Sequence, residues 1–511
     1  MNQYLDNTVF TQEDKYRDLF SGFETKAGLK RKALRGGTAV MGAEIIGQIL
    51  RIGSTMVLAR LLIPEDFGLL AMVTALTVFA ERFKDLGLSD ATVQSKEISH
   101  AQVSRLFWIN LGVCIGIALV VSSLSKTIAW FYNDQRLVGV SLVIASTFLF
   151  SGLVIQHQAI LRRRLSFGVI SMIGLCSSAF SILLAIMMAF HGFGYWALVA
   201  REFSRALFVC IGTWLACPWV PGLPTRSAPI AHLLSFARNV TGFNLVYFFS
   251  QSVDKILLGK LQGPYWVGLY TNAFQLLALP VNQLQHPLIT VGLPALSTLQ
   301  ADPVAFRSSF EKMAQLLTFF TMPVILFLAL FGDVIVVLLL GGKWLNAIPI
   351  FQVLAAGAFV EPVVHTTGLA MVACGKTAEY FRLGLVNAIS LLCCLAVGSF
   401  WGVMGITAGY AFSIYLALAV CLAYGLPKTP VQVLPLLRRL APNFFCSLAV
   451  AMFFLYVRHV VGWNFSPPWI AVFFVAAAGA YLGLWMVIPG GKSTMRAYWD
   501  YAGKVISNRK G

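Results

Sequence analysis

The chain has 511 residues, of which 58% are hydrophobic and 12% charged, and its mean hydropathy is +0.77. These values lie far from those of an ordinary soluble domain. The formal net charge of +17 would suggest nucleic acid in a soluble protein, but here it reads as basic loops facing anionic lipid.

The first 35 residues are polar and mixed in charge (EDKYRDLF, then KAGLKRKALR). They read as a cytosolic amphipathic lead-in, residues 1–36, with no cleavable signal peptide. Apolar stretches then follow one another almost to the end. About 20 apolar residues cross the hydrocarbon core as helix, and only helices or closed barrels satisfy their backbone there. The pattern predicts an all-α polytopic membrane protein with about 14 spans. They fall near 37–59, 67–88, 107–124, 138–158, 168–190, 193–216, 238–259, 265–295, 314–340, 347–373, 382–400, 403–425, 441–457 and 468–488. With both termini cytoplasmic, 24 of the 38 Lys and Arg lie on that side and only six outside, an asymmetry that sets orientation. All predicted external loops are short, so no folded external domain is expected. The nine cysteines lie in spans or at cytoplasmic ends, and neither a disulfide framework, a metal site nor a cofactor is expected.

The longest internal connection, from Cys217 to Arg238, is Pro-rich and separates two similar halves. Leu58-Ala59-Arg60-Leu61, Pro64 and Gly68-Leu69 align, 200 residues on, with Leu258-Gly259-Lys260-Leu261, Pro264 and Gly268-Leu269. A second match joins Gly194–Ala200 to Gly402–Ala408. Copies six spans apart share one orientation, so a pseudo-twofold axis along the membrane normal is expected. The predicted organisation is an N-lobe at 37–216 (six spans), a cytoplasmic linker at 217–237 and a C-lobe at 238–425 (six spans). Two further spans at 426–488 and a basic cytoplasmic tail at 489–511 complete it. A cavity between the two six-helix bundles is expected.

The run from Leu58 to Ser89 (LARLLIPEDFGLLAMVTALTVFAERFKDLGLS), with Ala91-Thr92-Val93-Gln94, resembles the opening of the polysaccharide-transport family. This family of lipid-linked oligosaccharide flippases includes the Wzx-type and colanic-acid-exporter-like proteins of the multidrug/oligosaccharidyl-lipid/polysaccharide exporter superfamily. Asp254–Gly259, Gly268-Leu269-Tyr270, Leu279-Pro280-Val281, Pro287 and Leu340–Trp344 agree with it. The resemblance implies a bacterial inner-membrane protein that turns over undecaprenyl-pyrophosphate-linked sugar units for lipopolysaccharide O-antigen, capsule or exopolysaccharide assembly. It also implies functional association with a polymerase and export machinery, and no nucleic-acid partner.

Charges inside the spans are the candidate site, because an ionised side chain at mid-bilayer costs about 2.5–3.5 kcal/mol on insertion scales. Glu44, Gln48 and Arg51 share one helical face. Arg201 and Arg205 lie one turn apart beside Glu202, and Gln251, Asp254 and Lys255 end the seventh span. Glu361 and His365 are again one turn apart. Arg51, Arg201, Arg205 and Lys255 are expected to bind the pyrophosphate headgroup, and Glu44, Asp254, Glu361 and His365 to couple an ion. The competing reading of each set is pairing within the protein, Arg51 with Glu44 and Arg205 with Glu202 or Glu361. Pro280, Pro287 and Pro294, seven residues apart and near Asn282, predict a bent gating helix. Glu81–Asp85 reads as a solvated or internally paired rim.

Two other functions compete. A polyprenyl-linked sugar polymerase or transferase needs external catalytic acids or a sizeable external loop, and the longest external connection offers only Asp134. A drug or small-cation antiporter of the same superfamily calls for a carboxylate-lined cavity. The candidate bases and acids balance, so placement and resemblance favour the lipid-linked sugar over the cation.

Overall fold

The computed structural model describes residues 26–95, 98–223, 252–460 and 469–488, together with 491, 492 and 495. Most of the predicted lead-in and linker, the first half of the seventh span with Gln251, and nearly all of the tail lie outside them. So do the side chains of residues 26–39 and those of Arg82, His286 and Pro287.

The described residues form helices and no strand. In chain order these are α1 (Lys26–Leu61), α2 (Pro64–Phe83), α3 (Leu88–Gln94), α4 (His100–Ser123), α5 (Ser125–Tyr132), α6 (Arg136–Arg163), α7 (Phe167–Phe190) and α8 (Tyr195–Ala216). There follow α9 (Val253–Gln262), α10 (Pro264–Ser297), α11 (Pro303–Leu330), α12 (Gly332–Leu340), α13 (Ala347–Ala358) and α14 (Glu361–Ala373). The last four are α15 (Thr377–Gly398), α16 (Gly402–Val420), α17 (Val433–Val460) and α18 (Ile470–Val487). Nine helical stretches among the described residues are long and apolar enough to cross a membrane. One of them, Thr377–Lys428, is 52 residues long. At 1.5 Å per residue it is roughly 78 Å of helix, enough for two crossings. It holds α15 and α16, which pack on each other. The 22-residue α8, which carries Arg201, Glu202 and Arg205, is not among the nine. The protein is an all-helical, multi-pass membrane protein.

Several predicted spans are built differently from their sequence outline. The apolar run 314–340 is broken at Phe331 into α11 and α12, and the run 347–373 is broken at Phe359-Val360 into α13 and α14. The second break follows from Pro362, which lacks an N–H and fits the first turn of a helix. The seventeenth helix starts at Val433, eight residues before the predicted 441, so Arg438 and Arg439 lie within it rather than in a loop. By contrast α10 runs 34 residues without an assigned break, although Pro280, Pro287 and Pro294 lie inside it.

Two compact units divide the chain, Met1–Gly268 and Leu269–Gly511. In the first, α4 packs on α6, α6 on α8, α8 on α7 and α7 on α1, while α9 packs on α2. The chain after α8 is fastened back onto this bundle. Fully buried Trp219 donates its indole N–H to His100 Nδ1 at 3.0 Å, and its carbonyl accepts from His157 Nε2 at 3.0 Å. Gly222 N–H donates to Ser104 Oγ at 2.9 Å, and Trp108 Nε1 donates to the Gly222 carbonyl at 2.9 Å. The head of the predicted linker is therefore a fixed part of the first unit. In the second unit α11 packs on α17 and α13, α13 on α16, and α17 on α18. Phe319, Phe331, Phe454, Tyr481 and Trp485 make one of its apolar clusters.

One pair of residues matched in the sequence also shares a backbone conformation. Gly194, at the head of α8, has φ +54° and ψ −134°. Gly402, its partner in the sequence match, has φ +67° and ψ −147° at the head of α16. Positive φ with strongly negative ψ is a region that side chains rarely enter, so both copies require glycine at this corner. Gly194→Ala and Gly402→Ala are each expected to lower stability by about 1–3 kcal/mol. Gly384→Ala, inside α15 with open space at the added carbon, should be neutral or stabilising by about 0.5–1 kcal/mol. Unfolding midpoints of the three variants in detergent check this, and equal midpoints would remove the strained corner as a constraint.

Candidate functional site

The charged residues of α1 stand on an exposed face. Arg51 Nη2 donates to Gln48 Oε1 at 2.6 Å and lies 3.8 Å from Glu44 Oε2, with the two charged side chains 62% and 70% exposed. Residues three, four and seven apart stack along one helical stripe, which is why these three meet. On α8, which packs on α7 beside α1, Arg201 donates through Nε and Nη2 to Glu202 Oε1 at 3.2 and 2.9 Å. Arg205, one turn further, is exposed and makes no ion pair among the described residues. The expected alternative partner of Arg205, Glu202, is thus taken by Arg201. In α14, His365 Nε2 lies 3.3 Å from Glu361 Oε1. The break before α14 puts Glu361 in its first turn, where a carboxylate is favoured by the helix dipole.

Asp254 sits in the first turn of α9 and is only 3% exposed, with Lys255 half-buried beside it. Pro280 is half-buried and Asn282 exposed on α10. The structure brings together Glu44 with Arg51, Arg201 with Glu202, and Glu361 with His365, each pair within a single helix. At the Glu81–Asp85 rim, Lys84 pairs with Glu81 at 2.5 Å and reaches Ser151 Oγ at 3.4 Å. Asp85 accepts from the Ser89 N–H at 2.9 Å, so this rim is internally paired.

At the opposite end of α2, Arg136 makes ion pairs with Asp134 at 2.7 Å and Glu65 at 2.6 Å. Asp66 accepts from the Ile63 N–H at 3.1 Å. It also accepts from the Tyr195 N–H, tying the heads of α2 and α8, and burial lifts its carboxyl above the usual aspartate range.

Sequence reasoning missed a polar ladder in the second unit. Arg439 on α17 donates from Nε to Gln315 Oε1 at 2.9 Å and from Nη1 to Glu311 Oε2 at 3.3 Å, both on α11. One turn on, Asn443 Nδ2 donates to the Gln315 carbonyl at 2.9 Å and to Thr318 Oγ1 at 2.8 Å. Tyr481 on α18 donates to Asn443 Oδ1 at 3.4 Å. Glu311, Gln315, Thr318, Asn443 and Tyr481 are all buried. The signal was present as a stripe: residues 311, 315 and 318 recur at helical spacing, as do 439 and 443. Cutting the ladder leaves buried polar groups without partners, so Asn443→Ala is expected to cost about 1–3 kcal/mol. An unchanged unfolding midpoint in detergent would show that the ladder fastens nothing.

Comparison with known proteins places this arrangement. The chain is 25% identical over 392 residues to the lipopolysaccharide biosynthesis protein WzxC of Escherichia coli (strain K12), covering 75% of this chain and 78% of that one. It is 26% identical over 348 residues to the teichuronic acid biosynthesis protein TuaB of Bacillus subtilis (strain 168), covering 63% and 68% respectively. Its fold matches the lipid II flippase MurJ in an inward closed conformation, with a TM-score of 0.69 at 13% identity over 87% of this chain and 97% of that one. Residues 57–349 match the family described as polysaccharide biosynthesis protein, and the chain belongs to that family.

Proposed function

We propose that this membrane protein carries a polyprenyl-pyrophosphate-linked oligosaccharide from the cytoplasmic to the external leaflet of the bacterial inner membrane, for surface polysaccharide assembly. The observation that carries the proposal is the Arg201/Arg205 pair, two guanidinium groups one turn apart on a helix of membrane-crossing length, one of them free of ion pairs among the described residues. A pyrophosphate headgroup must leave water during transfer. A guanidinium offers its oxygens paired, charge-assisted hydrogen bonds in a fixed fork. WzxC and TuaB are named for polysaccharide biosynthesis and MurJ for flipping lipid II, and those names support a lipid-linked sugar as cargo.

In this reading Arg51 and Lys255 add positive charge along the path, while Glu44, Asp254, Glu361 and His365 bind the ion whose gradient resets the cycle. Asn282 lines the gating helix, which Pro280 and Pro287 bend during turnover. Both termini lie in the cytoplasm, where the basic loops meet anionic lipid. The two repeats move as similar bodies and expose their charged helices first to one leaflet, then to the other. The protein carries out no covalent chemistry, and a polymerase on the far side receives the cargo.

Arg201→Ala and Arg205→Ala are each expected to abolish polysaccharide export while the protein stays in the membrane at normal amounts. Lipid-linked sugars should accumulate inside the cell, and normal export from both variants would remove the pair from the path. Reconstituted vesicles test the coupling set: transfer should accelerate with a proton or sodium gradient in the native protein, and Glu361→Gln with His365→Ala should erase the difference. Identical rates with and without either gradient would reject coupling at these residues.

A further inference from the structure

A helix that faces hydrocarbon exposes apolar side chains, and α7 does so. Met172, Phe180, Leu183 and Met187 are exposed on it, while Ser177 and Ser181 are buried. On α10 the arrangement is inverted. Between Pro264 and Thr290 the exposed residues among the described side chains are Gln275, Asn282, Gln283 and Thr290. Ala273, Leu277 and Val281 are buried. At 3.6 residues per turn the four polar positions fall within an arc of about 100°, opposite the buried three. They extend over about 22 Å of helix, most of the roughly 30 Å hydrocarbon core. Gln275, Asn282 and Gln283 lie within about 8 Å of the middle of this 34-residue helix.

An amide turned toward lipid forfeits its hydrogen bonds to water. Gln275, Asn282 and Gln283 make no side-chain hydrogen bond among the described residues, so their open face requires water or a polar ligand at mid-membrane. The helix contains no Asp, Glu, Lys or Arg, and the track therefore offers no fixed charge to a phosphate or an ion. Its chemistry matches something else. A carboxamide donates through its nitrogen and accepts through its oxygen, and a hydroxyl group likewise donates and accepts. A row of amides can thus satisfy a chain of hydroxyl groups without holding any of them by charge.

We propose that Gln275, Asn282 and Gln283 read the sugar portion of the cargo, hydrogen-bonding its hydroxyl groups as they pass the middle of the membrane. The proposal rests on the transport reading and adds the residues that tell a glycosylated carrier from a bare one.

The purified protein is titrated with two lipids, bare undecaprenyl pyrophosphate and the lipid-linked oligosaccharide extracted from the source cells. Native mass spectrometry follows the binding of each. Native protein should hold the glycosylated lipid more tightly than the bare one. Gln275→Leu combined with Asn282→Leu should weaken the glycosylated lipid about tenfold, the worth of one or two net hydrogen bonds. Binding of the bare lipid should be unchanged, which also reports an intact fold. Gln275→Asn combined with Asn282→Gln keeps both amides and should retain the preference. Unchanged affinities, or equal losses for both lipids, in the Leu pair and in Gln283→Leu alike, overturn the track. Arg205→Ala should weaken both lipids; if it weakens neither, the arginine site fails while the sugar effect still supports the track. Native protein that binds neither lipid overturns the transport reading and the track with it.

Discussion

A hydrocarbon layer neither hydrogen-bonds a peptide group nor solvates a charge, and this one constraint shapes the molecule at every level. It drives the backbone into helix, because only there are N–H and C=O groups satisfied within the segment. Two groups of polar side chains show opposite answers to it. Those of the ladder between α11, α17 and α18 are mostly buried and bonded across helices, half-buried Arg439 to Gln315 and Glu311, buried Asn443 to Gln315 and Thr318. Those of α1, α8 and α14 are at least partly exposed and close onto neighbours of their own helix.

The distinction matters for what each population can do. A buried ion pair broken on one side leaves an uncompensated charge, so the ladder is a fastener and a poor binding site. An exposed pair such as Arg51 with Glu44 contributes only about 0–1 kcal/mol in water. A doubly charged phosphate can displace such a carboxylate at small cost, because guanidinium binds both oxygen sets through the same fork. Arg201 is held by an adjacent residue through one carboxylate oxygen, and Arg205 is not held in an ion pair among the described residues. Local pairing thus keeps charges tolerable in lipid without committing them.

Local patterns in the chain carried much of this, and non-local ones did not. Span length and helical spacing depend on neighbours within a few residues, so the helical class and the in-helix pairs Glu44/Arg51 and Glu361/His365 could be read directly. The breaks at Phe331 and at Phe359-Val360 could not, since hydropathy stays high through both and a continuous apolar run looks like one helix. Arg439 was read as a loop residue because a charge before an apolar run ordinarily marks the boundary. Its partners are more than a hundred residues earlier, and nothing local announces them. The repeat was legible as likeness, and Gly194 and Gly402 show that the likeness extends to backbone angles. That Gly68 lies against the Pro264 carbonyl, and Gly268 against that of Pro64, could not be read, because similarity of sequence says nothing about proximity.

That contact gives the repeat a physical use. Two copies of a segment meeting about a twofold relation present the same surface to each other, so one sequence must be its own complement. Pro-x-x-x-Gly meets that demand economically. Proline opens the helix without an N–H of its own, and glycine one turn later leaves a gap on the same face into which the other copy's proline carbonyl fits. Side chains would have to be shaped twice, once for each role, whereas a bare backbone serves both. Leu69 and Val267, beside the two glycines, are fully buried, so the bare backbone contact sits in an apolar environment.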